Sequence, residues 1–227
     1  MAIPVMDKVE NYLKTVDRNG YFEVTSLSAD DLSRVEMYKA NAKRVQLQEN
    51  AGSYEDFVKS LNMKATIRAF EPIYMQRIAQ LTNKSNQFNL TTLRCSESDI
   101  NHMQASDDYI CLYGKLEDKF GDNGVVSVVV GQIEDDSLHM RLWLMSCRVL
   151  KRGMEDAMLD TLVFDVKKKG LKTITGYYYP TPKNGMVKEF YARMGFEKVS
   201  EDEKGNTTWK LDLGSYEPKN PAIEIYR

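Results

Sequence analysis

The stretch Ser137-Leu138-His139-Met140-Arg141-Leu142-Trp143-Leu144-Met145-Ser146-Cys147-Arg148-Val149-Leu150-Lys151-Arg152-Gly153-Met154 passes from an apolar run, through a basic turn, into a helix. Ser137 to Cys147 reads as a strand, and Gly153 opens a helix carrying Met154, Ala157, Met158, Leu162, Phe164 and Val166 that stops at Gly170. Upstream, Tyr109 to Leu116 and Gly124 to Glu134 read as two further strands. The tight-turn sequences Asp122-Asn123-Gly124 and Asp135-Asp136 make the three an antiparallel set.

Working outward, Lys64 to Phe70 is a strand that Glu71-Pro72 breaks into a helix over Ile73 to Leu81. The polar segment Thr82 to Thr92 follows, then a short helix from a Ser96 cap to about Gln104. Beyond the long helix come a strand over Lys172 to Tyr178, a helix over Asn184 to Met194, and strands over Glu197 to Glu201 and Thr207 to Leu213. This order predicts an α/β (α+β) domain with a mixed, mostly antiparallel sheet covered by helices on both faces.

The first 60 or so residues read differently, as helices and polar turns. Val5 to Arg18 has a helical period and stops at Asn19-Gly20. Ser28 caps a second helix with Asp30 and Asp31 in its first turn, running towards Leu47, and Ser53 caps a third bearing Tyr54, Phe57, Val58 and Leu61. With no strand of their own to cover, these helices are expected to form a collar that docks elsewhere. The expected organisation is a collar over 1–61, the α/β domain over 62–214 and a tail over 215–227.

The chain has 227 residues, 42% of them hydrophobic, which is enough for a buried core. Its 31 Lys+Arg balance 33 Asp+Glu, so neither nucleic acid nor an anionic membrane is an expected partner. Cys95, Cys111 and Cys147 are scattered without metal-ligand or disulfide-framework spacing. No apolar run approaches the ~20 residues that cross a bilayer, and Met1-Ala2-Ile3-Pro4 does not begin a signal peptide. A cytoplasmic protein without a metal is the expectation.

The order of elements resembles the GNAT acyltransferase fold, whose fourth and fifth strands are parallel neighbours that splay and hold the pantetheine arm of acyl-CoA. Two segments carry the resemblance further. The basic turn is similar to the family's Arg/Gln-x-x-Gly-x-Gly/Ala, whose backbone N–H groups bind the cofactor pyrophosphate at a helix N-terminus. Arg148 and Gly153 fit its ends, and Lys151 stands in place of the middle glycine. The resemblance thus implies binding of acetyl-CoA, another acyl-CoA or a carrier-bound phosphopantetheine by Met145, Cys147, Arg148, Lys151, Arg152, Gly153 and Met154. Read by itself, the turn is equally a basic helix start.

The second segment, Asn184-Gly185-Met186-Val187-Lys188-Glu189-Phe190-Tyr191-Ala192-Arg193-Met194-Gly195-Phe196, is similar to the helix that ends the GNAT core. There the asparagine meets the pantetheine arm and the tyrosine can protonate the departing thiolate, which implies these roles for Asn184 and Tyr191. Without the resemblance, Phe190 and Tyr191 are core aromatics before a glycine stop. The family's usual carboxylate base has no counterpart between Leu138 and Cys147. Cys147 could form a thioester but reads more readily as a buried structural thiol, and His139 and His102 read as surface imidazoles.

Four segments resemble a narrower group, the FkbH-like proteins of the HAD-superfamily IIIC type. They are Arg77 to Thr92, Lys119 to Gly124, Leu144 to Leu150 and Tyr179 to Asn184. The resemblance implies a HAD-type phosphatase domain as partner, an acyl carrier protein as a further one, and a small-molecule acceptor. The chain contains no Asp-x-Asp nucleophile motif, so no phosphatase chemistry is expected of it, and the collar is expected to be what trails such a domain. The amide-rich segment Asn83 to Thr92 falls where GNAT enzymes border their acceptor pocket, making Asn86, Gln87 and Asn89 the candidate acceptor contacts. Internal bonding of the loop is the competing reading.

Overall fold

The computed structural model describes Lys8, Glu10, Asn11 and residues 34–227, the side chains of 34–38 excepted. The chain divides into two units, 1–42 and 43–227. Of the first unit, the structure describes a helical position at Glu10 and Asn11 and the start of α1 (Arg34–Glu49). The rest of the helix expected over Val5 to Arg18, and the Ser28 cap, lie outside the described residues.

In the second unit, Ser53 caps α2 (Tyr54–Ser60), accepting the Asp56 N–H at 3.1 Å. β1 (Lys64–Ala69) leads through a single turn begun by Pro72 into α3 (Met75–Lys84). A two-residue strand, β2 (Phe88–Asn89), precedes α4 (Glu97–Ala105), which starts at a reciprocal Ser96–Asp99 capping box. Then come β3 (Tyr109–Asp118), β4 (Gly121–Glu134), β5 (Ser137–Met145) and α5 (Met154–Lys168). The chain ends with β6 (Thr173–Tyr178), α6 (Phe190–Arg193), β7 (Glu197–Glu201), β8 (Thr207–Asp212) and β9 (Glu224–Tyr226).

The strands form one sheet in the order β7-β8-β6-β5-β4-β3-β1-β9, with β2 added onto β5. The pairs β5–β6 and β1–β9 are parallel and the others antiparallel. Apolar residues of α2 and α5, among them Phe57, Val58, Met158 and Leu162, cover one face; Ile78, Leu81, Ile100 and Met103 of α3 and α4 cover the other. This is the two-sided mixed sheet that the sequence implies. No helix among the described residues is long and apolar enough to cross a membrane.

Four local expectations change. The β3–β4 hairpin turns at Lys119-Phe120, while Asp122-Asn123-Gly124 lies inside β4 beside a register shift, where Gly124 takes φ +67°. Asp118 sets this turn: it accepts the Phe120 N–H at 2.9 Å and is held by two buried guanidinium groups, Arg44 at 2.8 Å and Arg152 at 3.1 Å. The helix expected over Asn184 to Met194 is broken into a turn over Gly185–Val187 and the short α6, because the Asn184 side chain bonds backward to the chain. Phe57, Val58 and Leu61 are buried in the core of the sheet, so α2 finds in this chain the strands that the collar was expected to lack. Finally, the tail contributes β9, which pairs with β1.

Candidate functional site

β5 and β6 pair at only three positions, Ser137 to His139 with Thr173 to Thr175, and then diverge. The last rung is pinned by a 2.7 Å hydrogen bond between His139 Nδ1 and the Tyr177 hydroxyl, with the two rings stacked 6.0 Å apart. Beyond it the backbone of β5 from Arg141 to Met145 has no partner in β6, and a wedge opens between the carboxyl ends of the two strands. Backbone groups at such an edge need hydrogen-bonding partners.

The chain's own segment Phe88 to Thr91 supplies them. Phe88 and Asn89 pair with Met145 and Leu144 of β5, and the Leu90 N–H donates to the Trp143 carbonyl at 3.1 Å. The Thr91 hydroxyl donates to the Arg141 carbonyl at 2.7 Å. On the far side, the Tyr179 N–H donates to the Leu90 carbonyl at 2.9 Å, so the segment bridges both splayed strands. The Phe88 ring is buried and meets Phe190 edge-on at 5.1 Å; Phe190 in turn meets Trp143 at 4.8 Å. The wedge is therefore filled by a strand and an aromatic cluster.

Asn184 is fully buried and locks this arrangement. Its Nδ2 donates to the carbonyls of Asn89 at 3.0 Å and Tyr179 at 2.9 Å, and its Oδ1 accepts the Thr181 N–H at 2.7 Å. Tyr191 is also fully buried, packed on Gly176 so closely that a Cβ there would lie 2.4 Å from its ring. Its hydroxyl has no hydrogen-bond partner, and burial pushes the phenol far above its ordinary range. A phenol held neutral in this way is a poor acid towards anything outside the core.

The turn after β5 divides the other candidates. Cys147 and Arg148 are exposed, so Cys147 is not the buried structural thiol expected from sequence. Lys151 takes φ +59°, the left-handed conformation that glycine adopts freely, and its carbonyl accepts the Tyr54 hydroxyl at 3.0 Å. Arg152 does not offer its charge to a ligand: it is buried between Asp118 and the Arg148 carbonyl, at 3.1 and 2.6 Å. Met145 and Met154 are core residues. The first turn of α5 already carries carboxylates, Glu155 and Asp156. Burial raises both, Asp156 to about 6 with help from the neighbouring Glu155 and Asp160 charges. A cavity of about 190 Å3 beside this turn brings Arg152 and Asp156 together with Tyr54 and the tail residue Asn220.

Of the acceptor candidates, Asn89 is buried and bonded within its own loop, accepting the Thr92 N–H at 2.8 Å, and Gln87 is exposed. Asn86 lines a cavity of about 310 Å3 together with Arg94 and Lys183. Neither cation was singled out from sequence. They are far apart in the chain, and nothing local marks them as neighbours.

No family model and no curated protein matches the chain. Solved structures do. The PaiA N-acetyltransferase of Thermoplasma acidophilum, in complex with coenzyme A, is 16% identical with a TM-score of 0.52 over 66% of this chain and 99% of its own. An acetyltransferase of the GNAT family from Streptococcus pneumoniae is 15% identical with a TM-score of 0.52 over 66% and 99%. YncA of Salmonella typhimurium, a putative acetyltransferase with its cofactor acetyl-CoA, is 13% identical with a TM-score of 0.50 over 68% and 98%. At these identities the likeness is one of fold: the chain has the GNAT acetyltransferase fold.

In the arrangement described, Phe88 to Leu90 occupies the wedge where a pantetheine arm would lie. The free edge of β5 is paired, the amide of Asn184 is fully bonded, and the N-terminal turn of α5 holds the chain's own carboxylates.

Proposed function

We propose that this chain is an acyltransferase-like module whose donor is an acyl thioester of phosphopantetheine, as acetyl-CoA, another acyl-CoA or an acyl carrier protein, and whose acceptor is a small amine or alcohol. The divergence of β5 from β6 after three paired positions carries the reading. The fold neighbours support it, two of them having been solved with coenzyme A or acetyl-CoA. On this reading Phe88 to Leu90 must leave the wedge before an arm enters, and no step is assigned to Tyr191 or Asn184 while they are bonded as described. Coupling to a HAD-type phosphatase domain belongs to the same proposal and rests on the four resembling segments.

A second reading is favoured by one observation, the bridging of both splayed strands by Leu90. If the segment stays in place, the chain is a non-catalytic GNAT-fold module that docks an acyl carrier protein or a HAD-type domain. Calorimetric titration with acetyl-CoA separates the two. Saturable binding to the wild type supports acyl transfer, and tighter binding to Phe88→Ala identifies the segment as the competitor. No binding to either at millimolar acetyl-CoA would sink the acyltransferase reading and leave the docking one.

A further inference from the structure

The cavity of about 310 Å3 beside the filled wedge is lined by Asn86, Thr92, Arg94, Thr181, Pro182 and Lys183. Its chemistry is one-sided, with two cations and no carboxylate. Arg94 is tethered by donation to the carbonyls of Thr82 and Ser85 and to Asn86 Oδ1, all of them uncharged. Lys183 is exposed, and among the described residues neither it nor Arg94 forms an ion pair. The remaining groups are set up as donors. Asn86 spends its oxygen on Arg94 and keeps its amide hydrogens, and Thr181 Oγ1 accepts the N–H groups of Lys183 and Asn184 at 3.3 and 3.2 Å, leaving its own proton to give.

Uncompensated cations in a concave site raise the local concentration of anions, and an arginine already held in place loses little freedom when an oxyanion arrives. Two cations match a dianion better than a monoanion. The volume lies at the small end of ligand pockets and is enough for a short phosphorylated molecule. The site also lies off the carboxyl ends of the diverging strands, where open sheets commonly place ligands. We propose that this cavity binds the phosphate group of a small phosphate ester. The proposal concerns the arrangement described, with Phe88 to Leu90 seated in the wedge.

The test is an NMR titration of the full chain with inorganic phosphate at pH 7.5, at ionic strength held constant with chloride, and with acetate as the monoanion control. Expected are saturable shifts at the Thr92, Thr181 and Lys183 amides and the Arg94 side chain, weaker with acetate. Arg94→Gln and Lys183→Gln, both at exposed positions, are each expected to weaken phosphate binding roughly tenfold. Shifts that chloride and acetate reproduce equally, or unchanged affinity in both variants, would overturn the proposal. Acetyl-CoA binding is read separately, so failure of either proposal leaves the other standing.

Discussion

The side-chain amide of Asn184 donates to the backbone carbonyl of Asn89 at 3.0 Å, joining residues 95 positions apart at the mouth of the wedge. The same nitrogen reaches the Tyr179 carbonyl at 2.9 Å, so one amide fastens the inserted segment to the end of β6. Asn184→Ala leaves these buried carbonyls and the Thr181 N–H short of partners. It is expected to cost about 2–4 kcal/mol in urea unfolding. An unchanged midpoint would show that the amide does not staple the segment.

Asp118 holds Arg44 and Arg152 in the interior. Burial alone would raise its carboxyl; the Arg44 hydrogen bond, the Phe120 N–H and the two guanidinium charges outweigh burial and bring it below the usual range. A depressed carboxyl contributes stability that is present above its unfolded value of ~3.9 and is lost as pH falls through the folded one. Asp118→Asn is therefore expected to lose about 3–5 kcal/mol at neutral pH by stranding two buried cations. In chemical denaturation from pH 7 to 2, the variant should show a shallower acid limb than the wild type.

Asp156 predicts the opposite slope. With its carboxyl raised from 3.8 to about 6, first by burial and then by the Glu155 and Asp160 charges, the folded state holds the proton more tightly than the unfolded chain does. Its contribution is full below pH ~4 and is lost as pH rises through about 6. Asp156→Asn is expected to be more stable than the wild type at pH 7 by about 1–2 kcal/mol, allowing for screening at a partly exposed position. Thermal unfolding at pH 4, 6 and 8 checks this: the gain should vanish at the lowest pH.

Tyr191 has a buried hydroxyl without a partner. Removing it in Tyr191→Phe takes away a desolvated polar group and no bond, so stability is expected to stay level or rise by about 1 kcal/mol. If an acyl-transfer assay is established, turnover should also be unchanged. A loss of a hundredfold or more would mean that the phenol reaches the leaving group in a conformation more open than the one described.

Much of the fold was legible because its causes are local. Ser53 and Ser96 cap helices where hydroxyl residues precede a turn with acidic side chains. The central strands and α5 follow from runs whose period needs no knowledge of the partner. The hairpin turn misled because Asp122-Asn123-Gly124 is as suitable for a left-handed bulge as for a turn, and the ion pairs that Asp118 makes with Arg44 and Arg152, outside the hairpin, decided which it became.

The candidate site was less legible. By itself the sequence determined a mixed sheet covered on both faces, and it placed a basic turn at the end of β5; the parallel pair came only with the resemblance to the GNAT fold. Tertiary structure decided what those features are worth to a ligand. Arg152 became one of two cations on the buried Asp118, Asn184 a staple, and Arg94 and Lys183 part of the lining of one cavity. Phe88-Asn89-Leu90 carries no strand pattern of its own. It is a strand because the diverging edge of β5 leaves backbone groups unpaired, and in a buried wedge such groups bind whichever segment the fold brings within reach.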